Sequence, residues 1–66
     1  MRILLNGEPR ELASACVLAE LVAGLGLAGR RFAVERNGEI VPRSLHDRTQ
    51  LADGDRVEIV HAIGGG

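Results

Sequence analysis

Three kinds of residue in this chain could do chemistry: a run of glycines, one thiol and two imidazoles. Gly64, Gly65 and Gly66 follow directly on a strand-like apolar run. Glycine has no side chain to crowd a terminal carboxylate, so a narrow active site could admit such a tail end-on. Fully extended, three residues reach roughly 10 Å at about 3.3–3.6 Å each, enough to carry a carboxylate into a partner's interior. The plain alternative is a frayed end or a cloning scar. Against it, glycine makes up only about 7% of average sequences, so a triplet at one fixed position is rare by chance. Cys16 lies near an expected helix start, where a thiol pKa can fall, and one reading makes it a persulfide carrier. A small buried apolar side chain is the reading that free cysteine favours. His46 and His61 have no spacing suited to a metal and no nucleophile in a recognisable relation to either, so both are read as structural. The absence of any catalytic constellation argues against an enzyme.

Composition narrows the field. Sixty-six residues make one small domain, which buries only about 60% of its unfolded surface and has a thin core. The single cysteine excludes an intrachain disulfide, and with no secretory or membrane-spanning pattern the expected location is the cytoplasm. A net charge of −1 and a single aromatic residue, Phe32, give no footprint for nucleic acid or an anionic membrane. All 8 basic residues are arginine, so the chain has no lysine through which to link to itself.

The elements that must hold the glycines out read as follows. Arg2 to Leu5 is a strand, and Asn6-Gly7 is the dipeptide preferred in a two-residue hairpin turn. Pro9 to Leu12 is the returning strand, confined by its proline to an edge or a strand start. Leu18, Leu21, Val22 and Leu25 form one helical stripe. Glu20 suits the helix start, Ser14 or Cys16 is the expected N-cap, and Gly26 the expected C-terminal cap. Arg31 to Arg36 is a strand that turns at Asn37-Gly38 into Glu39 to Val41, which Pro42 ends. Residues 43–52 read as an irregular crossing with one helical turn, anchored by Leu45 and Leu51. After the turn at Asp53 to Asp55, the strand Arg56 to Ile63 places Val57, Ile59, His61 and Ile63 on one face. The first and last strands are the most apolar, which argues for the centre of the sheet. The expected fold is α+β: a mixed sheet of four to five strands packed on one main helix, the β-grasp arrangement. It spans residues 1–63, with 64–66 a flexible glycine tail.

The pieces resemble the ThiS family, the ubiquitin-like sulfur carriers of thiamine biosynthesis. The resemblance rests on MRILLNG (Met1 to Gly7), on NGEIVPR (Asn37 to Arg43), its most specific internal motif, and on DGDRVEIVHAIGGG (Asp53 to Gly66). Two positions depart from the pattern: Arg36 stands where an apolar residue is usual, and Gly64 precedes the usual pair. The resemblance implies that the chain is a protein co-substrate that binds no cofactor. An adenylyltransferase resembling ubiquitin-activating enzymes would use ATP and magnesium to adenylate Gly66. Sulfur drawn from cysteine through a desulfurase would then displace AMP, leaving a thiocarboxylate whose sulfur thiazole synthase consumes. Gly64 and Gly65 would serve insertion of the tail.

Strand alternation adds a candidate docking surface. If Ile3, Leu5, Val57 and Ile59 face the helix, then Leu4, Val60 and Ala62 face outward and could meet a partner. Arg30 and Arg31 are read as a solvated loop rather than a docking point. Three alternatives stay open: a carrier serving molybdopterin synthesis or another sulfur-transfer pathway, a ubiquitin-like modifier joined to target lysines through Gly66, and a binding module with no tail chemistry. The short chain and NGEIVPR favour the thiamine branch.

Overall fold

The computed structural model describes residues 1–13, 16–27 and 29–61. Its strands are β1 (Arg2–Leu5), β2 (Glu8–Glu11), β3 (Phe32–Arg36), β4 (Glu39–Val41) and β5 (Arg56–His61), with one helix, α1 (Leu18–Gly24), and a 3-10 helix at Arg43–Arg48. Two hairpins build the sheet. In the first, Asn6 and Gly7 have φ of 51° and 83°; in the second, Asn37 and Gly38 have φ of 52° and 86°. Both pairs have the positive φ that suits the right-handed twist of the flanking strands. The expected β-grasp arrangement is present, as a five-stranded sheet in the order β2-β1-β5-β3-β4. β5 lies parallel to β1 and antiparallel to β3, so the first and last strands are neighbours at the centre.

Alternation along the strands then sorts the side chains. Ile3, Val34, Val57 and Ile59 point to one face and meet Leu18, Leu21 and Val22 of α1, with Leu51 closing the core from the crossing segment. The helix is short because glycine cuts it off: Gly26, at φ 72°, donates its N–H to the Ala23 carbonyl at 3.2 Å and turns the chain away.

Several local expectations need correction. The N-cap is Val17, not Ser14 or Cys16; the carboxylate of Glu20 reaches back and accepts the Val17 N–H at 2.9 Å. A side chain with no acceptor can hold this position because the glutamate three residues on satisfies the backbone donor instead. Val17 is also tied to Gln50 by an isolated bridge, so the crossing segment itself fixes the helix entry. Ser14 lies outside the described residues.

In the crossing segment Leu51 is buried as expected, but Leu45 is 45% exposed and its neighbour His46 is the anchor. The tighter 3-10 turn rotates side chains by about 120° per residue, and here it turns the imidazole inward. The returning strand of the first hairpin is Glu8–Glu11 rather than Pro9 to Leu12. On β5, His61 shares a register position with Phe32 on the helix-facing side but is exposed, since the core ends at Ile59; Ile63 lies outside the described residues.

Candidate functional site

The chemistry-bearing glycines, 64–66, and Ala62 of the expected docking surface lie outside the described residues. What the structure defines is the platform from which they depart, the end of β5 at His61. That platform is layered. The imidazole of His46 is buried and its Nε2–H donates to the Val41 carbonyl at 3.1 Å, which requires the tautomer protonated at Nε2. Thus fixed, the ring stacks on Phe32, centroids 6.2 Å apart and planes inclined by 26°. On Phe32 lies the Arg43 guanidinium, 5.4 Å from the ring centroid, within cation–π range. Arg43 also donates to the Arg30 carbonyl at 3.2 Å, which ties the loop before β3 to the 3-10 helix. Phe32 is the register partner of His61 and Ala33 that of Val60. On the helix-facing side the last residue of β5, His61, therefore lies beside an aromatic and arginine stack rather than the aliphatic core. His46 is structural, as its surroundings in the sequence suggest, but it supports the tail end of the molecule.

Leu4 and Val60 both lie on the face turned away from α1. Leu4 is in register with Arg56 and half-buried, whereas Val60 is 52% exposed beside Ala33. Val60 stands four positions beyond Arg56, roughly 13 Å along the strand at about 3.3 Å per residue. Arg56 flanks Leu4 and Glu58 stands between it and Val60, both exposed. The two side chains share a face without forming one apolar patch, and Val60 is the one at the exit. Cys16 is half-buried, packs against the core and directs its Sγ to the Val17 carbonyl at 3.5 Å, the placement of a small apolar residue. Among the described residues no three potential metal ligands cluster. No described helix is long and apolar enough to cross a membrane.

At the opposite end of β5 lies a polar group that the sequence does not announce. Asp55 is buried. Its carboxylate accepts from the Ala52 N–H at 2.8 Å, from Arg36 Nε at 2.8 Å and from Asn37 Nδ2 at 3.1 Å. Burial by itself would raise the carboxyl pKa, but the three donors and the Arg36 charge outweigh it and hold the pKa below its ordinary value. This explains Arg36, the departure from an apolar pattern: it occupies an inward position because a buried carboxylate waits there. The available signal was the charge itself, an arginine in phase with Phe32 and Val34. The two asparagines also do more than turn the chain. Asn37 Oδ1 accepts the Arg56 N–H at 2.9 Å, and Asn6 Oδ1 accepts the Ile59 N–H at 2.8 Å. Both clamp β5, a strand to which neither belongs.

Comparison with known proteins bears on what this platform serves. The model of the ThiS family matches residues 3–66. The sulfur carrier protein ThiS of Bacillus subtilis is 39% identical over 49 residues, 74% of each chain. Two thiazole synthases, from Paramagnetospirillum magneticum and Magnetococcus marinus, are each 44% identical over 66 residues, and the chain spans only 20% of their length. Among solved structures, the crystal structure of the thiamine biosynthesis protein ThiS from Geobacter metallireducens superposes with a TM-score of 0.86 at 36% identity, over the full length of both chains.

Proposed function

The chain belongs to the ThiS family, the sulfur carriers of thiamine biosynthesis, and from that premise we propose that Gly66 carries the sulfur as a C-terminal thiocarboxylate. Carboxylates are poor electrophiles and are ionised at neutral pH, their reference value at a chain end being about 3.3–3.7. Activation comes from an adenylyltransferase resembling ubiquitin-activating enzymes, which spends ATP with magnesium to form the acyl adenylate. A persulfide sulfur, drawn from cysteine through a desulfurase, displaces AMP, and a thiol reductant then cleaves the S–S bond of the acyl persulfide to leave the thiocarboxylate. Thiazole synthase then takes the sulfur into the thiazole ring. The carrier is a co-substrate in both steps. Its contribution is to present residues 64–66, unbranched and narrow, from a rigid body small enough to visit two enzymes in turn.

One observation carries this reading: the family match runs through the glycines to residue 66. The two thiazole synthases that include a 44% identical stretch support thiazole synthase as the consumer, in preference to an enzyme of molybdopterin synthesis.

The test is an intact mass spectrum after incubation with the activating enzyme, ATP, magnesium and a sulfur source. The expected result is replacement of one oxygen by sulfur, located at Gly66 by fragmentation. Deletion of Gly66 is expected to abolish AMP exchange with the fold unchanged. No mass shift, with an activating enzyme shown to be competent on another carrier, overturns the proposal.

A further inference from the structure

The two outer edges of the sheet are closed to additional strands. β2 presents Glu8, Pro9, Arg10 and Glu11, all exposed, and charge and proline both deter edge pairing. β4 is only 3 residues long and stops at Pro42. A third edge lies within the sheet, where β1 stops short of the end of β5. Leu5, the last residue of β1, is in register with Val57. Asn6 then donates its N–H to the Val57 carbonyl at 2.9 Å, accepts the Ile59 N–H on its side chain, and turns away. β5 continues to His61, paired only with β3.

The directions of the backbone groups follow from the ladder. The Asn37 N–H reaches the Arg56 carbonyl at 2.8 Å, so Arg56 faces β3. Alternation places Glu58 and Val60 toward β3 as well, and Val57, Ile59 and His61 toward the β1 side. The Ile59 carbonyl and both backbone groups of His61 therefore lie along an edge that no described strand covers. Beside this edge, on the face away from α1, stands the exposed side chain of Val60.

We propose that thiazole synthase adds an extended strand here, in line with β1. The strand accepts from the His61 N–H, donates to the Ile59 and His61 carbonyls, and sets an apolar side chain abreast of Val60. The occupant follows from the chemistry of the edge: a row of backbone donors and acceptors is matched by another extended backbone, and the neighbouring valine selects an apolar residue on it. The consequence is directional. A strand on each flank would hold the last turn of the ladder rigid at the point where the chain leaves for the active site. The inference rests on thiazole synthase being the sulfur acceptor.

Two variants separate backbone from side chain. His61→Pro removes the N–H that faces the open edge and leaves the β3 ladder its bonds, since proline is tolerated where its nitrogen faces away from a partner strand. His61→Ala keeps the N–H and removes the ring. Titration of each into purified thiazole synthase is expected to show His61→Pro binding about tenfold more weakly than wild type, the loss of one hydrogen bond, and His61→Ala within about threefold. In the wild-type complex, amide exchange at His61 is expected to slow by at least about tenfold. Equal binding by the two variants overturns the proposal, as does an unchanged exchange rate at His61 in the complex. If the wild-type carrier does not bind thiazole synthase at all, the sulfur-donor reading itself falls, and this inference with it.

Discussion

Asn6-Gly7 and Asn37-Gly38 reverse the chain with nearly the same angles, and each asparagine sends its side-chain oxygen to a backbone N–H of β5. They differ in what surrounds that bond. Asn37 works in a group: its amide nitrogen also holds Asp55, which is gripped by Arg36 and by the Ala52 N–H, so the start of β5 is fixed several times over. Asn6 works alone, with one side-chain bond to Ile59 just where β1 gives out. The same dipeptide thus anchors the start of the central strand through a side-chain network and its far half through the Asn6 N–H and one side-chain bond. The lightly held end is the one that leads to the glycines. Rigidity is concentrated at the start of β5, and its far end keeps backbone groups that no described strand covers.

The contrast can be broken experimentally, beginning with its strongest element. Asp55→Ala removes a buried carboxylate and leaves Arg36, Asn37 and the Ala52 N–H without an acceptor; the expected cost is roughly 2–4 kcal/mol. Urea denaturation would read it as a fall in midpoint at unchanged slope. A cost near zero would mean that the network holds nothing. Acid should remove part of the same contribution. The folded pKa of Asp55 lies below its unfolded value, so its stabilisation is complete above about pH 5, begins to shrink near pH 4 and is lost as pH falls through the depressed folded value. The difference in stability between wild type and Asp55→Asn is therefore expected to shrink below about pH 4 and stay level above about pH 5. The smallest effect sharpens the comparison most. Asn37→Gly and Asn6→Gly both preserve the positive φ and delete only the side chain. Expected costs are about 1.5 kcal/mol for Asn37 and about 0.5–1 kcal/mol for Asn6, with amide exchange rising at Arg56 in the first variant and at Ile59 in the second. Equal costs would erase the asymmetry.

Much of the architecture is legible in the sequence because it is local. Two Asn-Gly pairs declare two hairpins, the stripe from Leu18 to Val22 declares the helix, and apolar strands at both ends of the chain declare the centre of the sheet. What the sequence hides is interaction across distance or outside the usual periods. Arg36 and Asp55 are 19 positions apart, and nothing local pairs them. Val17 caps the helix only because Glu20 and Gln50 converge on it. His46 replaces Leu45 as the anchor because a 3-10 turn follows neither the helical nor the strand period. Leu4 and Val60 share a face by alternation, but only the register of β1 on β5 reveals the distance between them. The glycines belong to a different category. Their meaning is read from residue type and from likeness to a family, and no packing in the described residues bears on them.

The order in which the strands occur has a consequence for how the molecule comes into being. Among the described residues β5 is the only strand joining the two hairpins, and it follows both of them in the sequence. Until it exists, β1-β2 and β3-β4 are separate two-stranded ribbons, which are marginal in water on their own. Nothing upstream can assemble them, and the parallel pairing with β1 closes a loop over most of the chain, a slow kind of contact to form. A nascent chain that stalls before residue 56 is therefore expected to be a protease substrate rather than a half-built domain. Synthesis of β5 therefore commits the whole body to fold.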